Sequence, residues 1–345
     1  MQSLAVKYRP STFDDVTEQS EVKVILKNQL ANNDLRNAYL FVGGAGTGKT
    51  TTARIFANEI NKGQGNPIEL DAASNNSVDD VREISQQSKT KSLDSEYRIY
   101  ILDEVHAFSS NAWQAMLKLL EEPPMKTIFI LCTTNPEKIP KTILSRVQRY
   151  DFQRISQRGI VERLEYIVGA EFDIRDEVDY LNKLPIGYVG ALEYIAKIAD
   201  GGMRDAITML DKCLAYSEEL TVANVIKALG IADYDVMFNL SDAIANKASK
   251  TIIDIIEDIY SSGKDLKTFI KTYMNFTLDI CKFKITWSYD YIQIPSIYSI
   301  DCHTEMLDNA NHLLDVLIKL DEKLKWETTP KYVIEATLLL ECLGE

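Results

Sequence analysis

The 345-residue sequence contains no run of eighteen apolar residues, so it carries no transmembrane-helix signal and no membrane partner is expected. Its first residues, Met1 to Lys7, lack the basic-then-apolar order of a secretory leader. The five cysteines, Cys132, Cys213, Cys281, Cys302 and Cys342, lie far apart, and no two are spaced C-x2-C. That pattern argues against a zinc module and against a disulfide framework, and it predicts a reducing, cytoplasmic setting. There is no internal repeat and no low-complexity tract. What is present is an ordinary globular composition, 46% hydrophobic and 26% charged, in a length suited to two or three domains.

Taken as a whole, the net charge of −13 argues against a nucleic-acid partner, but it is unevenly placed. Residues 1–150 hold 18 basic and 18 acidic side chains, whereas residues 151–345 hold 20 and 33. The whole excess therefore lies in the C-terminal part, which is a poor DNA surface, and the neutral N-terminal part can still present cations locally.

The first 152 residues alternate apolar runs with helical patterns, the signature of a parallel sheet covered by helices. The five expected strands are Ala38–Val42, Pro67–Asp71, Arg98–Leu102, Ile128–Cys132 and Arg149–Phe152. A helix is expected from Ser109-Ser110 to Leu120, stopped by Pro123-Pro124, with Trp113, Met116, Leu117 and Leu120 on one face. After Gln153 the pattern is helical throughout, with Gly187, Gly190 and Gly201-Gly202 as punctuation. A stripe of Leu307, Ala310, Leu314, Leu317, Leu320 and Leu324 reads as a helical core.

Gly43-Gly44-Ala45-Gly46-Thr47-Gly48-Lys49-Thr50 fits G-x-x-x-x-G-K-[ST], between the run Ala38–Val42 and a helical stretch, Thr51–Asn61. Glycines let backbone N–H groups turn inward around phosphate oxygens, and the helix start adds its partial positive charge. Lys49 is expected to reach the β and γ phosphates, and Thr50 to ligate Mg²⁺. The apolar strand Ile99–Leu102 delivers Asp103 and Glu104 to the sheet edge. Asp103 would hold Mg²⁺ through water, and Glu104 would orient and deprotonate the attacking water. Asn135 follows another apolar strand and suits a γ-phosphate sensor. His106 reads as a packing residue near the acids.

Several stretches together resemble the gamma/tau subunit of the bacterial DNA polymerase III clamp loader, an AAA+ ATPase. They are Lys7–Val16, the phosphate loop, Ile68–Arg82, Asp103–His106, Leu117–Pro124, Leu144-Ser145-Arg146 and Gly201–Ala206. The resemblance implies an α/β AAA+ P-loop core with a parallel five-stranded sheet (residues 1–156), then an all-α lid (157–230) and an all-α collar for oligomerisation (231–345). It implies Tyr8, Arg9, Pro10 and Val16 around the adenine and ribose, with Thr51 beside the phosphate loop. Arg146 becomes a finger reaching into a neighbour's ATP site, and Arg204 a second sensor on the lid. Asn75, Asn76, Ser77, Arg82 and Lys118 would contact the DNA backbone, although each also fits a plain solvated surface. The helix Val78–Ser88 and the loop Lys89–Ser95 would meet a sliding clamp.

The sequence departs from that family in three places. The interval Lys62–Asn66 has no room for the usual four-cysteine zinc module, so no zinc is expected. The usual Val-Gly-Gln reads Val16-Thr17-Glu18-Gln19, and Ser-Arg-Cys reads Ser145-Arg146-Val147. No extension of the tau form is expected, and the length and composition resemble phage-encoded versions. The expected function is an ATP-driven loader subunit that opens a ring clamp and places it on primer–template DNA, within a pentameric assembly of loader subunits. Another AAA+ motor or helicase loader, or a structural subunit that does not hydrolyse ATP, remains open.

Overall fold

The computed structural model describes residues 2–88, 90, 94–172, 188–217, 219–230 and 234–343. The chain divides into two compact units, Met1–Ala215 and Tyr216–Glu345.

The first unit is built on a five-stranded sheet: β1 (Ala38–Gly43), β2 (Ile68–Asp71), β3 (Arg98–Asp103), β4 (Thr127–Thr133) and β5 (Gln148–Phe152). The order across the sheet is β2-β3-β4-β1-β5, and every neighbouring pair is parallel. Each strand lies within a residue of its sequence position; for β1, β3 and β4 the reason is that a strand covered on both faces must be apolar throughout, and β4 is buried at all seven positions. Alternate residues feed two cores. Leu40, Tyr100, Leu102, Phe129 and Leu131 pack on one face with Trp113 and Met116. Tyr39, Phe41, Ile101, Ile128 and Ile130 pack on the other with Phe56. The registers Val42↔Thr133 and Asp71↔Asp103 bring polar strand ends to one edge, where an open parallel sheet holds its ligands.

Local signals set the helices. The helix after the phosphate loop starts at Lys49, two residues before the expected Thr51, because Gly48 at φ +98° turns the chain there, and it ends at Ile60. Ser109 Oγ accepts from Ala112 N at 3.2 Å and starts the helix Ser110–Glu121. Its buried face is Ala112, Trp113, Met116, Leu119 and Leu120; Leu117, expected on that face, is only half-buried. Beyond β5 the described elements of this unit are the helices Gln157–Glu171, Tyr188–Ile198 and Met203–Tyr216. Gly201, at φ +82°, does break the chain. Gly190 does not, since it lies inside Tyr188–Ile198, while Gly187 lies outside the described residues.

The second unit consists of helices joined by loops and short 3-10 turns. Its longest helices, Leu266–Thr286 and Thr304–Leu324, pack on each other. The expected stripe on the second is buried at Leu307, Ala310, Leu317, Leu320 and Leu324, with Leu313 covered in place of the half-buried Leu314. Asp279, 5% exposed, accepts from Gln293 N at 2.6 Å and pairs with Lys282 at 3.0 Å, which anchors the loop after Thr286. Among the described residues no helix is long and apolar enough to cross a membrane.

Candidate nucleotide site

β1 ends at Gly43, and the loop that follows folds over the start of the helix Lys49–Ile60. Gly46 takes φ +69°, and a Cβ there would stand 3.0 Å from Gly202 Cα, so only glycine fits. Gly46 O accepts from Met203 N at 3.0 Å. This contact holds the Gly201-Gly202 turn against the phosphate loop and brings Arg204 to the same place.

The result is a cavity of about 300 Å³. Ala45 to Thr51 form its floor, Asp103 and Glu104 one end, Tyr8, Arg9, Pro10 and Val16 one wall, and Met203 and Arg204 part of another. Gly43 and Gly44 stand behind the floor and do not line it. Thr17, Ile155 and Arg163 line the cavity as well, and sequence reading did not single them out. Arg163 reaches it from the helix Gln157–Glu171, where it donates to Tyr8 O at 2.8 Å and so fixes the Tyr8–Pro10 segment. Only tertiary contact makes that arginine part of the site.

Lys49 is 6% exposed, and its ammonium donates to Gly43 O at 2.9 Å and Gly44 O at 2.8 Å. Burial lowers its pKa, against the opposing pull of Glu104, Cys132 and Asp103. A buried cation with only carbonyl partners is suited to a phosphate. Thr50 Oγ1 donates to Asp103 Oδ2 at 2.7 Å. A hydroxyl and a carboxylate beside the loop are hard oxygen donors, the set that magnesium takes. Among the described residues there is no cluster of three or more His, Cys, Asp or Glu that could hold a metal by itself.

Glu104 has left-handed backbone, φ +48°. Its Oε2 accepts from Thr134 N at 3.3 Å, lies 3.0 Å from Thr134 Oγ1, and lies 3.1 Å from His106 Nδ1. The same Thr134 hydroxyl is 2.8 Å from Asn135 Oδ1, so Glu104 and Asn135 compete for one proton. Asn135 does not line the cavity; its amide donates to Glu137 at 3.1 Å. Arg146 is also outside the cavity. Its guanidinium binds Glu121 at 2.7 Å and Thr142 O at 2.7 Å.

Of the residues expected at DNA, Asn75, Asn76 and Ser77 directly precede the helix Val78–Ser88 and Arg82 lies on it, whereas Lys118 lies in the last turn of the helix Ser110–Glu121. Ser77 N donates to Asp80 at 2.9 Å while Asp80 N donates back to Ser77 Oγ at 3.2 Å, a reciprocal cap. Asn75 is tied to Asp71 O, Asn76 O accepts from Ser109 N, and Arg82 pairs with Asp79 at 2.9 Å. Asn76, Ser77, Arg82 and Lys118 are exposed, and Asn75 is half-buried. Within the loop expected at a clamp, residues 89 and 91–93 lie outside the described residues.

Comparison with known proteins adds a family likeness. A model described as "DNA polymerase III, delta subunit" matches residues 68–156, and one described as "DNA polymerase III subunits gamma and tau domain III" matches residues 220–299. The chain is 33% identical to DNA polymerase III subunit tau of Bacillus subtilis, over 99% of this chain and 63% of that protein. It is 34% identical to the tau/gamma subunit of Haemophilus influenzae, over 76% of this chain and 40% of that one. With the gamma subunit of Buchnera aphidicola it shares 29% identity over 98% of both chains. It thus spans less than two thirds of the Bacillus and Haemophilus proteins. Among solved structures, the Thermotoga maritima RuvB Holliday junction branch migration motor superposes with a TM-score of 0.51 at 18% identity, over 77% of this chain and 90% of that one. That likeness establishes the AAA+ P-loop fold of the parallel-sheet core. Together with the sequence matches along both units, it makes the chain similar to DNA polymerase III gamma/tau subunits over nearly its whole length.

Proposed function

We propose that the chain is the ATP-hydrolysing subunit of a sliding-clamp loader, working in a pentameric ring of loader subunits in the cytoplasm. ATP binding and hydrolysis would open a ring clamp and place it on primer–template DNA. The functional divisions we propose are a core (1–156), a lid (157–230) and a collar (231–345). The observation that carries the reading is the convergence of Lys49, Thr50, Asp103, Glu104 and Arg204 at one cavity, in a chain with this similarity. A purely structural subunit has no use for that set.

In this reading Lys49 leaves its two carbonyls for the β and γ phosphates, and backbone N–H groups of Gly44 to Gly48 surround the same oxygens. Thr50 and Asp103 would hold magnesium, which supplies charge neutralisation on the phosphates when bound. Glu104, once turned from Thr134, takes a proton from the attacking water. Asn135 acts on that turn through the shared Thr134 hydroxyl. Arg204 brings charge from the lid side, and Tyr8, Arg9, Pro10, Val16 and Thr51 hold the nucleoside and loop. Arg146, bound to Glu121 away from the cavity, would exchange that partner for a neighbour's γ-phosphate as the trans finger. Asn75, Asn76, Ser77, Arg82 and Lys118 would follow the DNA backbone by phosphate contacts that read no sequence.

The test is steady-state ATPase of the chain with its partner subunits, with primed DNA, with the clamp, and with both, beside a Glu104→Gln control. Strong synergy of clamp and primed DNA, lost in the control, supports the loader. Stimulation by long duplex that ignores the clamp would point to a motor.

A further inference from the structure

Glu18 and Gln19, directly after the cavity wall residues Val16 and Thr17, are consecutive residues in left-handed backbone, at φ +55° and +51°. Neither is a glycine, so each bears a conformational cost, and such strain persists only where the surroundings fix it. Their side chains show what fixes it. The Gln19 carboxamide, 7% exposed, binds both backbone groups of one residue: it donates to Gln153 O at 2.7 Å and accepts from Gln153 N at 3.0 Å. The Glu18 carboxylate accepts from Ser156 N at 3.1 Å and from the Ser156 hydroxyl. Ser156 is itself the N-cap of the helix Gln157–Glu171, accepting from Gly159 N at 3.0 Å.

Gln153 to Ser156 is the whole link between β5 and that helix. The two side chains therefore grip its first and last residues. From the other side, Ile155 N donates to Gly201 O at 3.2 Å, and Arg154 pairs with Asp200. The Gly201 turn leads straight to Met203 and Arg204 at the cavity. Gly159 completes the arrangement: a Cβ there would stand 2.6 Å from Glu18 Oε1.

We propose that Glu18 and Gln19 form a clip that ties the nucleotide cavity wall to the hinge of the helical lid, so that filling the cavity is transmitted to the link and to the Gly201 turn. Glu18 is a positioning residue in this device. The inference rests on the nucleotide-site reading above.

Two substitutions break the clip by different routes. Glu18→Gly removes the carboxylate and its backbone strain together. Gly159→Ala expels the carboxylate from the helix side, while alanine favours the helix itself. Glu18→Gln keeps an oxygen acceptor for Ser156 N and should restore the coupling in part. The readout is amide hydrogen exchange in the full chain, with and without ATPγS and magnesium, at the phosphate loop and at residues 153–160. In the native chain nucleotide should slow exchange at both places, by about tenfold in the link. In Glu18→Gly and Gly159→Ala the phosphate loop should stay protected and the link should lose its response. Equal link protection in the native chain and both variants overturns the clip. Absence of protection at the phosphate loop of the native chain overturns the nucleotide site, and the clip with it.

Discussion

Lys49 shows how one residue can be costly for the fold and still suit the function proposed for it. It is buried against two carbonyls, with its pKa lowered chiefly by burial. A lysine whose folded pKa lies below its unfolded one weighs on stability while charged, and the burden lifts as pH rises through the folded pKa toward 10.5. The melting temperature of Lys49→Met minus that of the native chain should therefore fall as pH is raised from 7 toward 10.5, as read by calorimetry. The same variant should lose the stabilisation that ATPγS and magnesium give the native chain. Thr134→Val frees Glu104 from one hydrogen bond at unchanged size. Unstimulated ATPase should then rise by roughly threefold to tenfold, the worth of one such bond. At this scale the sequence was informative where chemistry demands a residue type at a fixed spacing, as with Lys49, Thr50, Asp103 and Glu104. Arg163 escaped notice because nothing local marks it. Glu18 and Gln19 read as a departure from a familiar motif, and their left-handed backbone appears only in three dimensions.

Among the elements, strands and caps account for most of what could be read. A parallel strand buried on both faces has to be continuously apolar, so β1, β3 and β4 stood out from their neighbours. One helix start followed from Ser109, whereas the Ser77–Asp80 cap emerged only in the structure. Residues such as Leu117 and Leu119 were harder to assign, because the covered side of a helix depends on which neighbours pack there. The cap at Ser77 has a functional consequence. Ser77→Ala should cost about 1 kcal/mol of stability, typical of a lost N-cap, measured by urea titration. It should also weaken the DNA stimulation of the ATPase, since Asn75, Asn76 and Ser77 of the proposed backbone contacts lie at that helix start. Arg82→Ala and Lys118→Ala should each lower the salt dependence of DNA binding by about one phosphate contact without changing sequence preference. Loss of sequence-specific binding in either variant would contradict this assignment.

The whole chain sets its acidic excess after residue 150, so any DNA surface must be sought in the neutral parallel-sheet core. The cavity is lined by Lys49, by Asp103, Glu104 and Asp205, and by Arg9, Arg163 and Arg204, but Arg146 is held by Glu121 outside it. A site that takes its last cation from a neighbour should work only in an assembly. Mixing Arg146→Ala chains with Glu104→Gln chains should then recover part of the hydrolysis that each lacks by itself, as seen in a titration of one against the other. The central claim, that ATP turnover places a ring on DNA, is tested most directly by clamp transfer. Labelled clamp, primed circular DNA, partner subunits and ATP would be incubated with the native chain and then separated by gel filtration. Clamp should travel with the circle, be shed when the circle is cut, and be absent from it with Lys49→Met. ATP hydrolysed in full with no clamp retained on the circle would contradict that claim.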